Sequence, residues 1–177
     1  MIEGWVLSLV LACSLALLLI AGGDLRYPGR RGFYRFLAFE SVLLLILLNL
    51  PSWITEPFTA LHMLSWTLLL CSLLLVTSGF RQLRQAGKPV KGIETTTRLV
   101  TSGVYRWIRH PLYASLLYLG WGAFLKDPGG LTIFLVMMCT FSLFMVARKE
   151  EVENLARFGE PYSDYMRRTS RFIPFIF

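Results

Sequence analysis

The nine residues from Tyr105 to Tyr113, YRWIRHPLY, hold two tyrosines, two arginines, a tryptophan and a His-Pro pair directly before an apolar run. Pro111 suits the first position of a helix, where its missing N–H costs nothing. His110 then stands beside a helix N-terminus, whose N–H groups and dipole favour an anionic group. Tyr105 and Tyr113 offer flat rings to a heteroaromatic ligand. Arg106 and Arg109 suit a carboxylate or lipid phosphates. The competing reading is an aromatic and basic belt at a membrane interface. A second cluster, Arg148-Lys149-Glu150-Glu151, follows a later apolar run. A carboxylate at that depth needs a partner. A ligand ammonium or ribose hydroxyl would serve, as would Arg148 or Arg109. A solvated helix end followed by an amphipathic anchor competes here, and is the expected reading for Glu153, Arg157 and Glu160. Glu40 and His62 lie inside apolar blocks. Glu40 is expected to snorkel or to pair with Arg35 or Arg81, and His62 to hydrogen-bond a backbone group or water.

These clusters are set between membrane-like segments. Of 177 residues, 55% are hydrophobic and 16% charged, against a globular norm of about 25% charged. Crossing a bilayer takes about 20 mostly apolar residues. Five blocks approach this: 5–21, 36–54, 58–80, 111–125 and 131–147. The last two are divided only by the turn signal Lys126-Asp-Pro-Gly-Gly130, which predicts a helical hairpin. Seventeen of the 18 Lys and Arg fall in the first loop, the connector after the third block or the tail, leaving Lys126 alone on the other side. By the positive-inside rule the N-terminus is outside and the C-terminus cytoplasmic. The expected fold is an all-α integral membrane helical bundle of about five transmembrane helices, with a C-terminal hairpin and a cytoplasmic C-terminal segment. It forms one domain over 1–177: three spans in 1–80, a connector in 81–110, the hairpin in 111–147 and a tail in 148–177 that completes the site.

Several function classes drop out. Cys13, Cys71 and Cys139 each sit in an apolar block and form no CxxC or Cys/His set, so no metal site is expected. There is no GxGxxG phosphate turn, HExxH helix or GxSxG elbow. A secretory signal fits poorly, because the first block is long and lacks preceding basic residues. The net charge of +7 is spread along a membrane face, which favours lipids over nucleic acid as partners. The hairpin starts and ends on the cytoplasmic side, so the two polar clusters should meet there.

The stretch LVTSGVYRWIRHPLYASLLYLGW, then a hairpin, then EEVENLARFGEPYSDYMRRTSRFIPF, resembles the isoprenylcysteine carboxyl methyltransferase family of integral-membrane enzymes, in its prokaryotic form. The resemblance covers about residues 98–175. It implies S-adenosylmethionine as cofactor, held by Arg98, Leu99, Val100, Tyr105, His110, Pro111, Leu112, Tyr113 and the acid Glu150. Two positions depart from the family's eukaryotic pattern: Thr97 stands where a histidine is usual, and Val146 where a substrate-contacting arginine is usual. These bear on the acceptor rather than the cofactor.

The implied reaction is a one-step methyl transfer to a lipophilic acceptor entering from the bilayer, for example an isoprenylcysteine-like carboxylate. It asks the protein to align the reactants and exclude water. Arg148 or Arg109 is expected to orient an anionic acceptor, and Glu151 to act as base if the acceptor is an amine. The alternatives are a phospholipid amine N-methyltransferase, an NADPH-dependent sterol-type reductase, and a non-enzymatic scaffold or transporter. The expected location is a prokaryotic inner membrane.

Overall fold

The computed structural model describes residues 4–25, 27–55, 59–87 and 97–176. Arg26, Lys88, Lys91, Phe58 and the rest of the connector over 88–96 lie outside them. The described residues form seven α-helices and one 3-10 turn, with no strand among them: α1 Gly4–Leu25, α2 Arg31–Leu48, α3 Ser52–Thr55, α4 Ala60–Ala86, the 3-10 turn Gly103–Arg106, α5 Pro111–Phe124, α6 Gly130–Phe158 and α7 Glu160–Arg168.

The all-helical expectation holds, and the hairpin is α5 and α6. Helices α4 and α6 are long and apolar enough to cross a membrane, and α1 carries a shorter apolar stretch, Gly4–Ile20. Leu11, Leu15 and Leu19 of α1, Leu70, Leu73 and Leu74 of α4, and Phe134 and Phe141 of α6 all point outward and exposed. So large an apolar surface is covered by lipid rather than water.

Two block boundaries differ from the sequence expectation. The second block was expected to run through Ile54, but α2 begins at Arg31 and stops at Leu48. Pro51 lacks the N–H that would continue the ladder, and the buried Asn49 side chain donates instead to the Ala123 carbonyl at 2.8 Å. The third block was expected to end at Phe80, but α4 starts on a Thr59 cap and runs on through Arg81 and Arg84 to Ala86.

Helix α5 is the hub. It packs against α4, α2 and α6, while α1 leans on α2. Fourteen residues rise only about 21 Å, so α5 is short, and its surface is largely covered by its neighbours. The α4–α5 contact uses small residues one heptad apart on α4: Ser65 faces Gly122, Ser72 faces Ser115, and Gly79 packs on Pro111 and Leu112. Ser65 donates to the Gly122 carbonyl and Ser72 to the Ser115 carbonyl, both at 2.7 Å. Small residues let membrane helices approach closely, and serine hydroxyls bond across the gap. A Cβ at Gly122 would lie 2.9 Å from Leu69 and 3.2 Å from the Ser65 carbonyl oxygen. Gly122→Ala is therefore expected to force α4 and α5 apart and cost about 1–3 kcal/mol. A lowered midpoint of thermal unfolding in detergent would show it, and an unchanged midpoint would contradict this packing.

At the opposite end from the two clusters, Lys126 is buried in the α5–α6 turn with its Nζ 3.8 Å from the Trp66 ring centroid and 6.0 Å from that of Trp53. His62 is also buried there. Its Nδ1 lies 3.1 Å from the Thr59 hydroxyl. Glu40 accepts a hydrogen bond from Ser14, so α1 and α2 are joined by a polar contact among apolar side chains.

Candidate active site

Helix α6 continues unbroken from its apolar part, which ends at Ala147, through Glu150 and Glu151 to Phe158, as its sequence leads one to expect. Gly159 ends it with φ of +62°, a conformation that costs L-residues with a Cβ. Pro161 then starts α7, which buries Tyr162 and Tyr165. Successive helical residues project about 100° apart. Glu150, Asn154 and Phe158 therefore share one face, Glu151 a second, and Arg148 a third.

The first face closes a cavity of about 260 Å³, just under the usual range of about 300–1,000 Å³ for small-molecule sites. All nine residues expected at the cofactor line it: Arg98, Leu99, Val100, Tyr105, His110, Pro111, Leu112, Tyr113 and Glu150. Tyr113, at the start of α5, donates its phenolic O–H to Glu150 at 2.5 Å. The His110 ring stacks on that of Tyr113, with centroids 5.5 Å apart and planes 22° apart. The two clusters, 37 residues apart in sequence, thus touch. Gly103 makes the turn that delivers Tyr105, with φ of +60° and no room for a Cβ against Gln82.

The second face builds an ion hub. Glu151 is buried and takes Arg109 Nε at 3.0 Å on one oxygen. Arg171 Nε shares that oxygen at 3.0 Å, and Arg171 Nη2 reaches the other at 2.7 Å. His110 Nε2 lies 3.4 Å from the same carboxylate but is not aligned as a hydrogen bond. Arg109 also donates to the Met166 and Thr169 carbonyls. Backbone bonds from Arg109 N–H to the Ser170 carbonyl (2.8 Å) and from Ser170 N–H to the Trp107 carbonyl (3.1 Å) stitch the tail beside the start of α5. Tyr165 adds a bond to the Tyr105 carbonyl at 2.6 Å.

Of the three residues expected to do chemistry, Arg148 and Glu151 lie outside the cavity, and Arg109 sits at its border with its guanidinium engaged. Arg148 lies on the third face and lines a different cleft with Arg30 and Arg31, because two residues along a helix turn it well away from Glu150. Glu151 does not line the cavity, and both its oxygens are engaged by arginines. Arg109 borders the cavity, but its guanidinium is bound to Glu151 and the tail carbonyls. The cavity also contains residues that sequence reasoning did not assign to it, among them Arg35, Phe39, Asn154 and Tyr162. The spacing of Glu150, Asn154 and Phe158 at i, i+4 and i+8 was a usable signal. For Arg35 and Arg171, far off in sequence, there was none.

Burial alone would favour the neutral acid at Glu151, but the contacts of His110 and Arg171 and the charge of Arg109 outweigh it, holding the carboxyl well below its ordinary value of 4.5. The sign follows: a folded pKa below the unfolded one contributes stability that is complete above about pH 4.5 and drains as pH falls through that value and below. The unfolding midpoint of the native chain should therefore drop between neutral pH and pH ~3 more steeply than that of Glu151→Gln. Parallel curves would argue against the hub. Burial, then the charges of Glu150 and Tyr165, pushes the Tyr105 phenol far up. Tyr162, likewise buried, is pushed up to about 12. Both remain neutral donors at any working pH.

The sequence profile of the phospholipid methyltransferase family matches residues 60–172, which includes α4, the hairpin, α7 and the hub. Protein-S-isoprenylcysteine O-methyltransferase from Mus musculus is 36% identical over 83 residues, 46% of this chain and 29% of that protein. Methanethiol S-methyltransferase from Mycobacterium tuberculosis is 30% identical over 121 residues, 65% of this chain and 47% of the relative. Methanethiol S-methyltransferase 2 from Bradyrhizobium diazoefficiens is 27% identical over 155 residues, 80% of this chain and 59% of the relative. The chain thus spans less than two thirds of the length of each. Kinship with the isoprenylcysteine enzymes, expected from residues 98–175, is borne out, and the chain belongs to the phospholipid methyltransferase family.

Proposed function

We propose that the chain is an integral-membrane methyltransferase that takes its methyl group from S-adenosylmethionine and passes it to a lipophilic acceptor reaching the site from the bilayer. The observation that carries this is the contact between Tyr113 and Glu150 inside a cavity walled by both polar clusters. The donor set fits the cofactor. Glu150 is a carboxylate for its ammonium group, Arg98 a guanidinium for its carboxylate, and Asn154 an amide. Leu99, Val100, Phe158 and the tyrosine rings offer apolar and aromatic faces for its adenine. Bound there, S-adenosylmethionine supplies an electrophilic methyl group on a sulfonium that already carries its leaving group.

The chain's own residues then bind and orient. Tyr113 fixes the Glu150 carboxylate, and the stacked His110 ring fixes Tyr113. Phe39 of α2, Leu83 of α4, and Leu112 and Leu116 of α5 form the apolar wall of the cavity. This wall suits a hydrophobic chain and keeps water from the reacting atoms. Arg35, which also lines the cavity, is the better-placed group to steer an anionic acceptor, since Arg109 serves the hub and Arg148 faces elsewhere. With Glu151 engaged by two arginines, an acceptor that must lose a proton finds no base there. That favours a carboxylate or thiolate over a phospholipid amine. The proposed orientation has five spans, with the N-terminus outside and the site at the cytoplasmic face of a prokaryotic inner membrane.

The experiment is a titration of the purified chain in detergent with S-adenosylmethionine and, separately, NADPH. Saturable binding and a thermal shift with the first alone are expected. The opposite pattern would return the reductase alternative, and no response to either would return the scaffold. Membranes supplied with labelled methyl donor would then identify the acceptor by which lipid or thiol becomes labelled.

A further inference from the structure

The third face of α6 opens on a separate cleft of about 690 Å³ between the start of α2 and the end of the apolar part of α6. Among the described residues four cations line it, Arg30, Arg31, Arg148 and Lys149, with a single carboxylate, Glu153. Arg31 holds that carboxylate at 2.8 Å. Arg30 lies over the Tyr27 ring at 4.2 Å and Lys149 over the Tyr34 ring at 5.7 Å. Among the described residues no carboxylate pairs with Arg30, Arg148 or Lys149. Among the described residues the cleft therefore carries a surplus of positive charge.

Its position indicates what would. Arg148 and Lys149 directly follow Ala147, where the apolar stretch of α6 ends, which sets them at headgroup depth. Met145 and Val152 share their helical face, at i, i+3, i+4 and i+7, and give the cleft apolar edges. Arginines bind phosphate oxygens two at a time, and anionic lipids enrich negative charge at the cytoplasmic surface. We infer that this cleft holds the phosphate of one anionic phospholipid from the adjacent leaflet, at a site distinct from the methyl-donor cavity. Free phosphate shares the headgroup chemistry, but only a lipid also uses the apolar edges. Arg31, 3.8 Å from Glu150 as well as bound to Glu153, puts this site next to the cavity.

The test uses the full-length chain, delipidated in detergent without methyl donor, so that its outcome is separate from that of the methyl-transfer reading. Native mass spectrometry counts the phosphatidylglycerol and phosphatidylcholine of equal chain length retained per chain, with inorganic phosphate as competitor. One phosphatidylglycerol held in about tenfold preference is expected, with Arg148→Ala/Lys149→Ala abolishing the preference. Glu153→Gln, which removes the competing carboxylate, should strengthen retention, an outcome that damage to the fold would not produce. Equal retention of the two lipids, a preference untouched by either variant, or displacement by inorganic phosphate at concentrations matching the lipid would overturn the proposal.

Discussion

Glu151→Ala is expected to cost about 3–5 kcal/mol, because it leaves the side chains of Arg109 and Arg171 partly buried without their counter-charge. Arg109 is 7% and Arg171 18% exposed at the side chain, so little of that loss can be recovered from water. The damage should be local at first. Arg109 also holds the Met166 and Thr169 carbonyls, and the segment after α7 lies against residues 107–110 through backbone bonds. Removing the hub should therefore free the tail before the membrane helices separate. Thermal unfolding in detergent and limited proteolysis within 169–176 read this together. A lowered midpoint with early cleavage in the tail is the expected result. A native midpoint with a protected tail would show that the backbone bonds suffice. Glu151→Gln keeps the shape and some of the hydrogen bonds, and should fall between the two.

On the cofactor side, Glu150→Gln should weaken S-adenosylmethionine binding by about 10–100-fold, the loss of a hydrogen bond to a charged group being worth about 1.5–3 kcal/mol. The substitution is nearly isosteric, and its neighbour Glu151 stays in place, so stability should change little. Tyr113→Phe removes the bond that fixes Glu150 while keeping the ring that stacks on His110. Its loss should be smaller, and the double variant should fall short of the sum of the two, since both act through one contact. Calorimetric titration of the native chain and the three variants measures this. Undiminished affinity in Glu150→Gln would remove the carboxylate from the site, whatever the cavity's shape. Strictly additive losses would mean that Tyr113 and Glu150 act on different parts of the ligand.

Much of the molecule could be read along the chain, where the physics is local. Apolar runs of sufficient length, Pro111 at a helix start, the Asp-Pro-Gly-Gly turn and Gly159 as a stop each depend on neighbours within a turn or two, and they give the hairpin and the long α6. The premature end of α2 could be read this way only in part: Pro51 is a local stop, but the Asn49 contact is not local. Asn49 finds its partner, the Ala123 carbonyl, 74 residues away. The stripe of Ser65, Ser72 and Gly79 was visible as spacing, but its meaning came from Gly122 and Ser115 on another helix.

The sequence by itself determined that the ring-rich start of α5 and the acidic end of α6 would lie at one end of the bundle, because a hairpin returns to the side it left. Only the tertiary structure decided how the adjacent acids divide the work. A rotation of about 100° per residue turns Glu150 into the cavity and Glu151 into a salt-bridged hub, and carries Arg148 around to a separate basic cleft. Which neighbour each of these meets is set by helix packing and by a tail that arrives from twenty residues further on, and no local pattern encodes that choice.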